Sequence, residues 1–356
     1  MKTLVVEPLE PLSLAATPIT GIEVMSTVST LSLPLPTTIA GALGALIGIK
    51  LSSEDPIKGL VELVEKITSE LRCKKPLIVG PLTQFTPGDM WSEPLINISW
   101  KLFVSPRCIR VLGKRGDEER CHGTQEACLG YVKVSDMFVN VEACKDGGVA
   151  VFKPVVAYGV SLERRATESG VAGEKRAKIG YLYRYPMSVY RLVHGDREVP
   201  ARPRFLYLLN CDNDVSGYIR FGGEGRVARV YTEQVKYEVR SLLDAGSGLY
   251  IALSPVPLIP LSSSQLYIDF QKVLGLEFVD EVIGVPQQKR GALPKVVVEH
   301  LGLGFYEVKG VRRPVIQVLS PGTVLKTKAL NKPLDPVLET LYSIGFASLY
   351  PLQTQQ

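Results

Sequence analysis

The longest uncharged stretch of the chain runs over residues 24–49, between Glu23 and Lys50, and contains LPLPTTIAGALGALIG. An apolar run of eighteen or more residues has the length of a membrane span. Pro34 and Pro36 break this one, because each lacks an amide hydrogen and Pro36 turns Leu35 away from helical geometry. The pattern predicts a helix from Thr37, with a threonine hydroxyl as N-cap, ending near Ile49, where Lys50 suits the negative end of the helix dipole. About a dozen residues rise roughly 18 Å, short of the roughly 30 Å of a bilayer core. Ahead of the prolines, MSTVSTLSL alternates hydroxyl and apolar residues as a strand does. A buried strand–turn–helix is expected, with no membrane association.

Further along, residues 55–72 (DPIKGLVELVEKITSELR) place Leu60, Val61, Val64, Ile67 and Leu71 at helical spacing, with charges elsewhere on the wheel. TLVVEPLEPLSL opens the chain as a strand that prolines then interrupt. Between residues 76 and 140 no period stands out, and the polar, glycine-punctuated GKRGDEERCHGTQEACLG reads as a long excursion. Strand-like segments resume with VVAYGVSLERR and IGYLYRYPMSVYRLV, followed by a strand pair in GYIRFGGEGRVARVY. A new unit begins near Gly246 with GLYIALSPVPLIP as its first strand, then SQLYIDFQKVLGL as a helix, then KVVVEHLGLGFYEV and RRPVIQVLSPGTVL as strands. Both halves open alike, with an apolar strand, a helix and further strands. Two α+β units, each a sheet with helices on one face, fit this order.

The glycines of the first helix are unusual. Gly41, Gly44 and Gly48 share a face, opposite Ile39, Leu43, Leu46 and Ile47. Glycine inside a helix costs about 1 kcal/mol against alanine, which is tolerable where something approaches the backbone closely. A neighbouring strand or helix is one candidate and a phosphodiester chain the other.

Composition narrows the class. The 356 residues fit two domains, and 46% hydrophobic with 22% charged residues is ordinary for a globular protein. The N-terminus carries Glu7 and Glu10 where a secretory leader would be apolar, so a cytoplasmic location is expected. Of the net charge of +5, residues 153–240 hold more than the whole: 16 Lys/Arg against 10 Asp/Glu. That region suits a polyanion or a solvated face. The six cysteines form no CxxC pair. Cys108, Cys121, His122 and Cys128 lie close in sequence without finger spacing, leaving zinc or thiols, single or paired, as readings.

Three segments carry candidate chemistry. In YIRFGGEGRVARVY, Gly222, Gly223 and Gly225 permit a concave turn of amides that binds anions. Arg220, Arg226 and Arg229 add charge there, and Tyr218, Phe221 and Tyr231 add stacking faces, the combination that holds single-stranded RNA. A plain hairpin with a glycine turn is the other reading. In SLERRATESGVAGEKRAKIGYLYRY, Arg164, Arg165, Lys175, Arg176 and Lys178 bracket a glycine-rich tip, a basic loop that would order on phosphates or remain solvated. In KGVRRPVIQVLSPGTVL, Arg312 and Arg313 precede a strand, as phosphate forks or as charges guarding an edge.

Other chemistry finds little footing. Asp212 and Asp214 begin a calcium-loop pattern that fails at its twelfth position, so a turn is expected. No GxGxxG, GxxxxGK[ST], serine-elbow or HExxH motif occurs. The histidines are His122, His194 and His300, with His194 the best candidate for a metal-independent ribonuclease. No cofactor is expected.

Taken together, these segments resemble the RAMP superfamily of CRISPR-associated proteins, and within it the third subunit of the type III-B Cmr effector complex. LPLPTTIAGALGALIG looks like that family's proline-proline-serine/threonine-threonine-x-x-glycine-alanine-leucine segment. VSLERR…GYLYRY resembles its glycine-containing loop and leucine-tyrosine strand, FGGEGRVARV its glycine-glycine-glutamate motif, and GFYEVKGVRRPVIQVLSPGTVL its late strand pair. The matches run in family order from about residue 5 to 330. The segment after Lys101 matches nothing in the family, Gly44 stands where an arginine is usual, and about the last twenty residues lack a counterpart. The resemblance implies two ferredoxin-like (βαββαβ) domains, residues 1–240 with insertions at about 101–150 and 161–180, and residues 241–356. It implies a non-catalytic subunit that grips the 5′ handle of the crRNA beside the large polymerase-type subunit and the first backbone subunit, and meets target RNA only indirectly. Thr37, Thr38, Gly41 and Gly44 would then lie near the handle, with the glycine and arginine segments above. A RAMP endoribonuclease that processes precursor crRNA is the enzymatic alternative, and an unrelated soluble RNA-binding protein the other.

Overall fold

The computed structural model describes residues 1–14, 30–88, 90–112, 133–134, 138–141, 149–164, 175–194, 197–223, 225–235, 237–260, 273–274, 278–287, 294–329 and 334–352. It is mostly β-sheet with three α-helices among these residues.

In the first half, strand β1 (Lys2–Pro8) leads to helices α1 (Pro36–Leu46) and α2 (Pro56–Leu71) and then to β2 (Cys73–Thr86). A long hairpin follows, β3 (Val149–Arg164) and β4 (Lys175–His194), then β5 (Arg197–Cys211) and a short hairpin of β6 (Ser216–Arg220) and β7 (Val227–Glu233). β6, β7, β1, β5, β4 and β3 lie side by side, extended by two three-residue strands (Leu102–Val104 and Ile96–Ile98), with β2 also on β5. The subset β7-β1-β5-β2 is antiparallel throughout.

The second half repeats this order. Its strands are β8 (Gly248–Ala252), β9 (Val256–Pro260), β10 (Val279–Gly284), β11 (Val298–Gly302), β12 (Phe305–Tyr306), β13 (Val311–Arg312), β14 (Val315–Leu319) and β15 (Val324–Thr327), then helix α3 (Pro336–Ser343) and β16 (Ser348–Pro351). β16-β8-β15-β10 is again last, first, third, second, all antiparallel. GLYIALSPVPLIP is two strands rather than one: β8 stays in this sheet while β9 joins β14 and β11. Of the helix expected in SQLYIDFQKVLGL, only Val273 and Leu274 are described, and they form a short strand antiparallel to β9 instead; its remainder, the cysteine-rich excursion and the tip of the basic loop lie outside the described residues.

Alternation explains why the central strands are apolar on both faces. Leu4 and Val6 of β1, and Phe205, Tyr207 and Leu209 of β5, join the core under the helices, while Val5, Leu206 and Leu208 join a second core shared with Ile251, Leu253 and Val324 of the other sheet. The core under the helices also continues through Tyr250, Leu341 and Leu349. The Gly80 amide donates to Ser348 Oγ at 2.9 Å, joining β2 to β16. Cys211 stands opposite Cys73 in the β5–β2 register, and the two form a disulfide. Cys108 is disulfide-bonded as well, which removes it from any zinc set. Asp214 pairs with Lys2 at 2.7 Å, and the Asp212 carbonyl accepts from the same ammonium at 2.6 Å, so these aspartates serve a turn and the N-terminal strand.

The helix in the apolar run differs at both ends from the sequence expectation. Pro36, not Thr37, opens it; Leu35 is the N-cap, and no side chain caps it. Pro36 suits the first turn because its missing amide hydrogen has no partner to lose. The helix stops at Leu46 because Gly48 adopts φ +76°, and Gly48 and Ile49 donate to the carbonyls of Ala45 and Gly44, a Schellman closure. In the second helix Asp55 is the N-cap, accepting from the amides of Ile57 and Lys58 at 2.8 Å. No helix among the described residues is long and apolar enough to cross a membrane.

Candidate nucleic-acid interface

A buried polar network fixes where α1 begins. Ser188 Oγ donates to Leu31 O, Tyr190 OH to Ser32 O and Asn97 Nδ2 to Ser32 Oγ, all within 3.0 Å. Burial pushes the Tyr190 phenol up, so it stays a donor. The backbone of LSLP is thereby held against β4, and the prolines send α1 out toward the edge of the sheet. There it meets β6: a β-carbon on Gly217 would come 2.5 Å from Leu46 Cδ1, so glycine is what lets the strand lie against the helix.

One stripe of α1, buried at Thr37 and exposed at Gly41 and Ala45, carries only small side chains. Thr37, Thr38, Gly41 and Ala45 follow one another at helical spacing along a groove of roughly 920 Å³. Gly41 is exposed, with nothing within 4 Å of where a β-carbon would stand. Gly44 also reaches the groove, but it serves helix packing, since its β-carbon would lie 2.6 Å from Leu63 Cδ1 of α2.

The opposite wall is β6 with the loop that follows it. Arg220 and Tyr218 are exposed on it, and Gly222 and Gly223 line the groove. The loop is not an open nest of amides. Gly223 donates to Ser13 O at 2.8 Å, Phe221 to Arg226 O at 2.7 Å, and Arg226 to Gly223 O at 3.5 Å. Gly222, at φ +77°, is needed because a β-carbon would stand 2.8 Å from the Ser13 carbonyl. Gly225 is open but not part of the groove. Arg226 forms an ion pair with Glu10 and approaches Met187 Sδ at 3.7 Å, and Arg229 lies 4.7 Å over the Tyr231 ring. Neither lines the groove, so the local cations that reach it are fewer than the sequence promised.

The third wall comes from the far end of the chain. Residues 302–313, including the two-stranded β12–β13 hairpin, bring Gly304, Phe305, Arg312 and Arg313 to the groove. Phe305 is 53% exposed, an apolar face at the mouth. Arg313 is half-buried: Nη1 donates to Phe305 O at 2.8 Å, Nε to Pro56 O at 3.4 Å, and the guanidinium lies 5.1 Å from the Tyr306 ring. Burial pushes its pKa down from the usual range. Among the described lining residues, three arginines (Arg220, Arg312 and Arg313) face a single carboxylate, Glu307.

Thus Thr37, Thr38, Gly41, Gly44, Arg220, Gly222, Gly223, Arg312 and Arg313 converge, while Gly225, Arg226 and Arg229 do not. The backbones of Arg164, Lys175 and Arg176 pair near the distal end of the β3–β4 hairpin, Lys178 falls in the register shift beside them, and Arg165 lies outside the described residues. Sequence reasoning passed over Gly304 and Phe305; the glycines at 302 and 304, two apart in LGLGF, were the available signal. His300 faces Gln317 at 3.3 Å on β11 and does not line the groove. Among the described residues no group of three His, Cys, Asp or Glu could hold a metal ion.

No family model and no curated protein matches the sequence. Solved structures do share the fold. A chain of the type III-B Cmr-beta bound to cognate target RNA superposes with a TM-score of 0.55 at 18% identity, over 98% of this chain and 96% of that one. A chain of the same assembly bound to cognate target RNA and AMPPnP gives 0.55 at 17% identity with the same coverage.

Proposed function

We propose that this chain is a non-catalytic RNA-binding subunit of a type III-B CRISPR effector complex. In this reading it grips the 5′ handle of the crRNA in the cytoplasm, beside the large polymerase-type subunit and the first backbone subunit, and meets target RNA only through the guide. The convergence of α1, the β6–β7 loop and residues 302–313 on one cationic groove carries the reading. Arginine forks, helix-end amides and exposed aromatic faces are the means by which single strands are held. The repeated last-first-third-second strand order in both sheets is that of ferredoxin-like units, which supports the RAMP assignment, although a hairpin strand, β6, stands where the first unit's second helix would be.

Ultraviolet crosslinking of the assembled complex, with adducts mapped by mass spectrometry, tests this reading. Adducts from the 5′ end of the crRNA are expected on peptides containing Arg220–Gly223 and Arg312–Arg313. Adducts confined to other surfaces would overturn it.

A further inference from the structure

Deep in the groove, three features meet. Thr37 is only 5% exposed, and its Oγ1 is buried without a hydrogen-bond partner. A buried hydroxyl left unpaired is unfavourable, and native structures retain one where something else completes it. It sits in the first turn of an eleven-residue helix, where the amides are not all taken up by the helix and the dipole favours an anion. Across from it, Gly304 adopts φ +93°, and the β-carbon it lacks would stand 3.7 Å from Thr37 Oγ1 and 3.9 Å from Arg313 Nη1. The gap is therefore bordered by a hydroxyl, a guanidinium and bare backbone. Arg313 has carbonyls and a tyrosine ring for neighbours, and no carboxylate within salt-bridge distance among the described residues. Glu307 acts on it only from beyond salt-bridge distance, so this half-buried guanidinium has room for a closer anion.

We infer that Thr37, Gly304 and Arg313 form a cradle for one phosphate of the bound strand, held by hydrogen bonds from Thr37 Oγ1 and from the guanidinium N–H groups of Arg313 that Phe305 O and Pro56 O do not take. The identity of the ligand rests on the RNA-binding reading above; the anion site does not. One phosphate is thereby fixed in register while Arg220 and Arg312 act on its neighbours as exposed charges. Phe305, next to Gly304 and exposed, offers a face on which the adjoining base stacks.

Two measurements on the full chain test the cradle. In the first, inorganic phosphate is titrated into protein labelled with ¹⁵N-glycine, and the Gly304 resonance is assigned by its loss in Gly304→Ala. Phosphate is expected to shift Gly304 in the wild type and not in Thr37→Val or Arg313→Gln. In the second, a short single-stranded RNA carries one methylphosphonate at a time. One position is expected to lose about tenfold in affinity with wild type and nothing with Arg313→Gln, or with Arg313→Lys if the glutamine variant fails to fold. Thr37→Val is expected to leave thermal stability unchanged or raised, since it removes an unpaired buried hydroxyl; lowered stability would make Thr37 a structural residue and overturn the assignment. RNA binding with a silent Gly304 and no position coupled to Arg313 sinks the cradle but not the RNA reading. A shifted Gly304 without RNA binding does the reverse, and silence in both overturns both.

Discussion

Gly59 of α2 and Tyr306 of β12 leave no room between them for a side-chain carbon: a β-carbon on Gly59 would stand 2.6 Å from the tyrosine Cζ. The ring cannot step aside, because its hydroxyl donates to Ser53 O at 2.6 Å and Arg313 lies against it. This contact sets the third wall of the groove on the helices of the first half. Gly59→Ala should therefore destabilise the protein by roughly 1–3 kcal/mol through overpacking, despite the better helix propensity of alanine. It should weaken RNA binding at the same time. Urea unfolding and fluorescence anisotropy on one preparation check both, and an alanine variant as stable as wild type would refute the claim.

The exposed arginines are expected to act through charge alone. Replacing both Arg220 and Arg312 by alanine should lower the slope of log affinity against log salt by about 1.4, near 0.7 for each phosphate contact on a single strand. Arg226→Ala should instead lower stability by loosening Glu10 and leave that slope unchanged, because Arg226 turns away from the groove. A salt series over the two variants separates these outcomes.

Acid should weaken the junction between α1 and α2. The Lys66 ammonium, then the Ser53 amide and the Ser52 hydroxyl, hold the Glu62 carboxyl at about 2, against an ordinary 4.5. The folded value lies below the unfolded one, so the contribution is complete above about pH 4.5 and disappears as pH falls through about 2. The amides of Lys58 and Ile57 shift Asp55 in the same direction. Glu62→Gln should flatten the stability profile in that window, as measured by denaturant midpoints at successive pH values.

Reduction should loosen the molecule without abolishing the groove. The Cys73–Cys211 bond closes a loop of 138 residues, and disulfides are worth typically about 2–4 kcal/mol. Unfolding of a Cys73→Ser, Cys211→Ser variant should show a loss of that order, and a phosphine reductant should cost the wild type at least as much, because it also opens the disulfide at Cys108.

The parts visible in the sequence were those with a local pattern. The 3.6-residue spacing of residues 55–72 gave α2, and prolines with glycine spacing gave a short buried α1. The glycine loop gave the β6–β7 hairpin, and the motifs grouped Thr37, Gly222 and Arg312, which line one groove. What stayed hidden depends on distant partners. β2 and β5 form the centre of the molecule, yet both faces of β2 are buried, so it has no alternation to detect. Pro76 and Pro81 disguise it further, and the fold tolerates them because β2 pairs fully only with β5. Likewise the Glu10–Arg226 pair and the hold of Ser13 on Gly223 join residues more than two hundred positions apart, and they decide which of the basic and glycine residues reach the groove.

The two sides of the proposed cradle come from distant parts of the chain, Thr37 from α1 and Arg313 from beyond β13. On that reading, anion binding at Thr37 and Arg313 would report that the two halves of the fold have closed on each other.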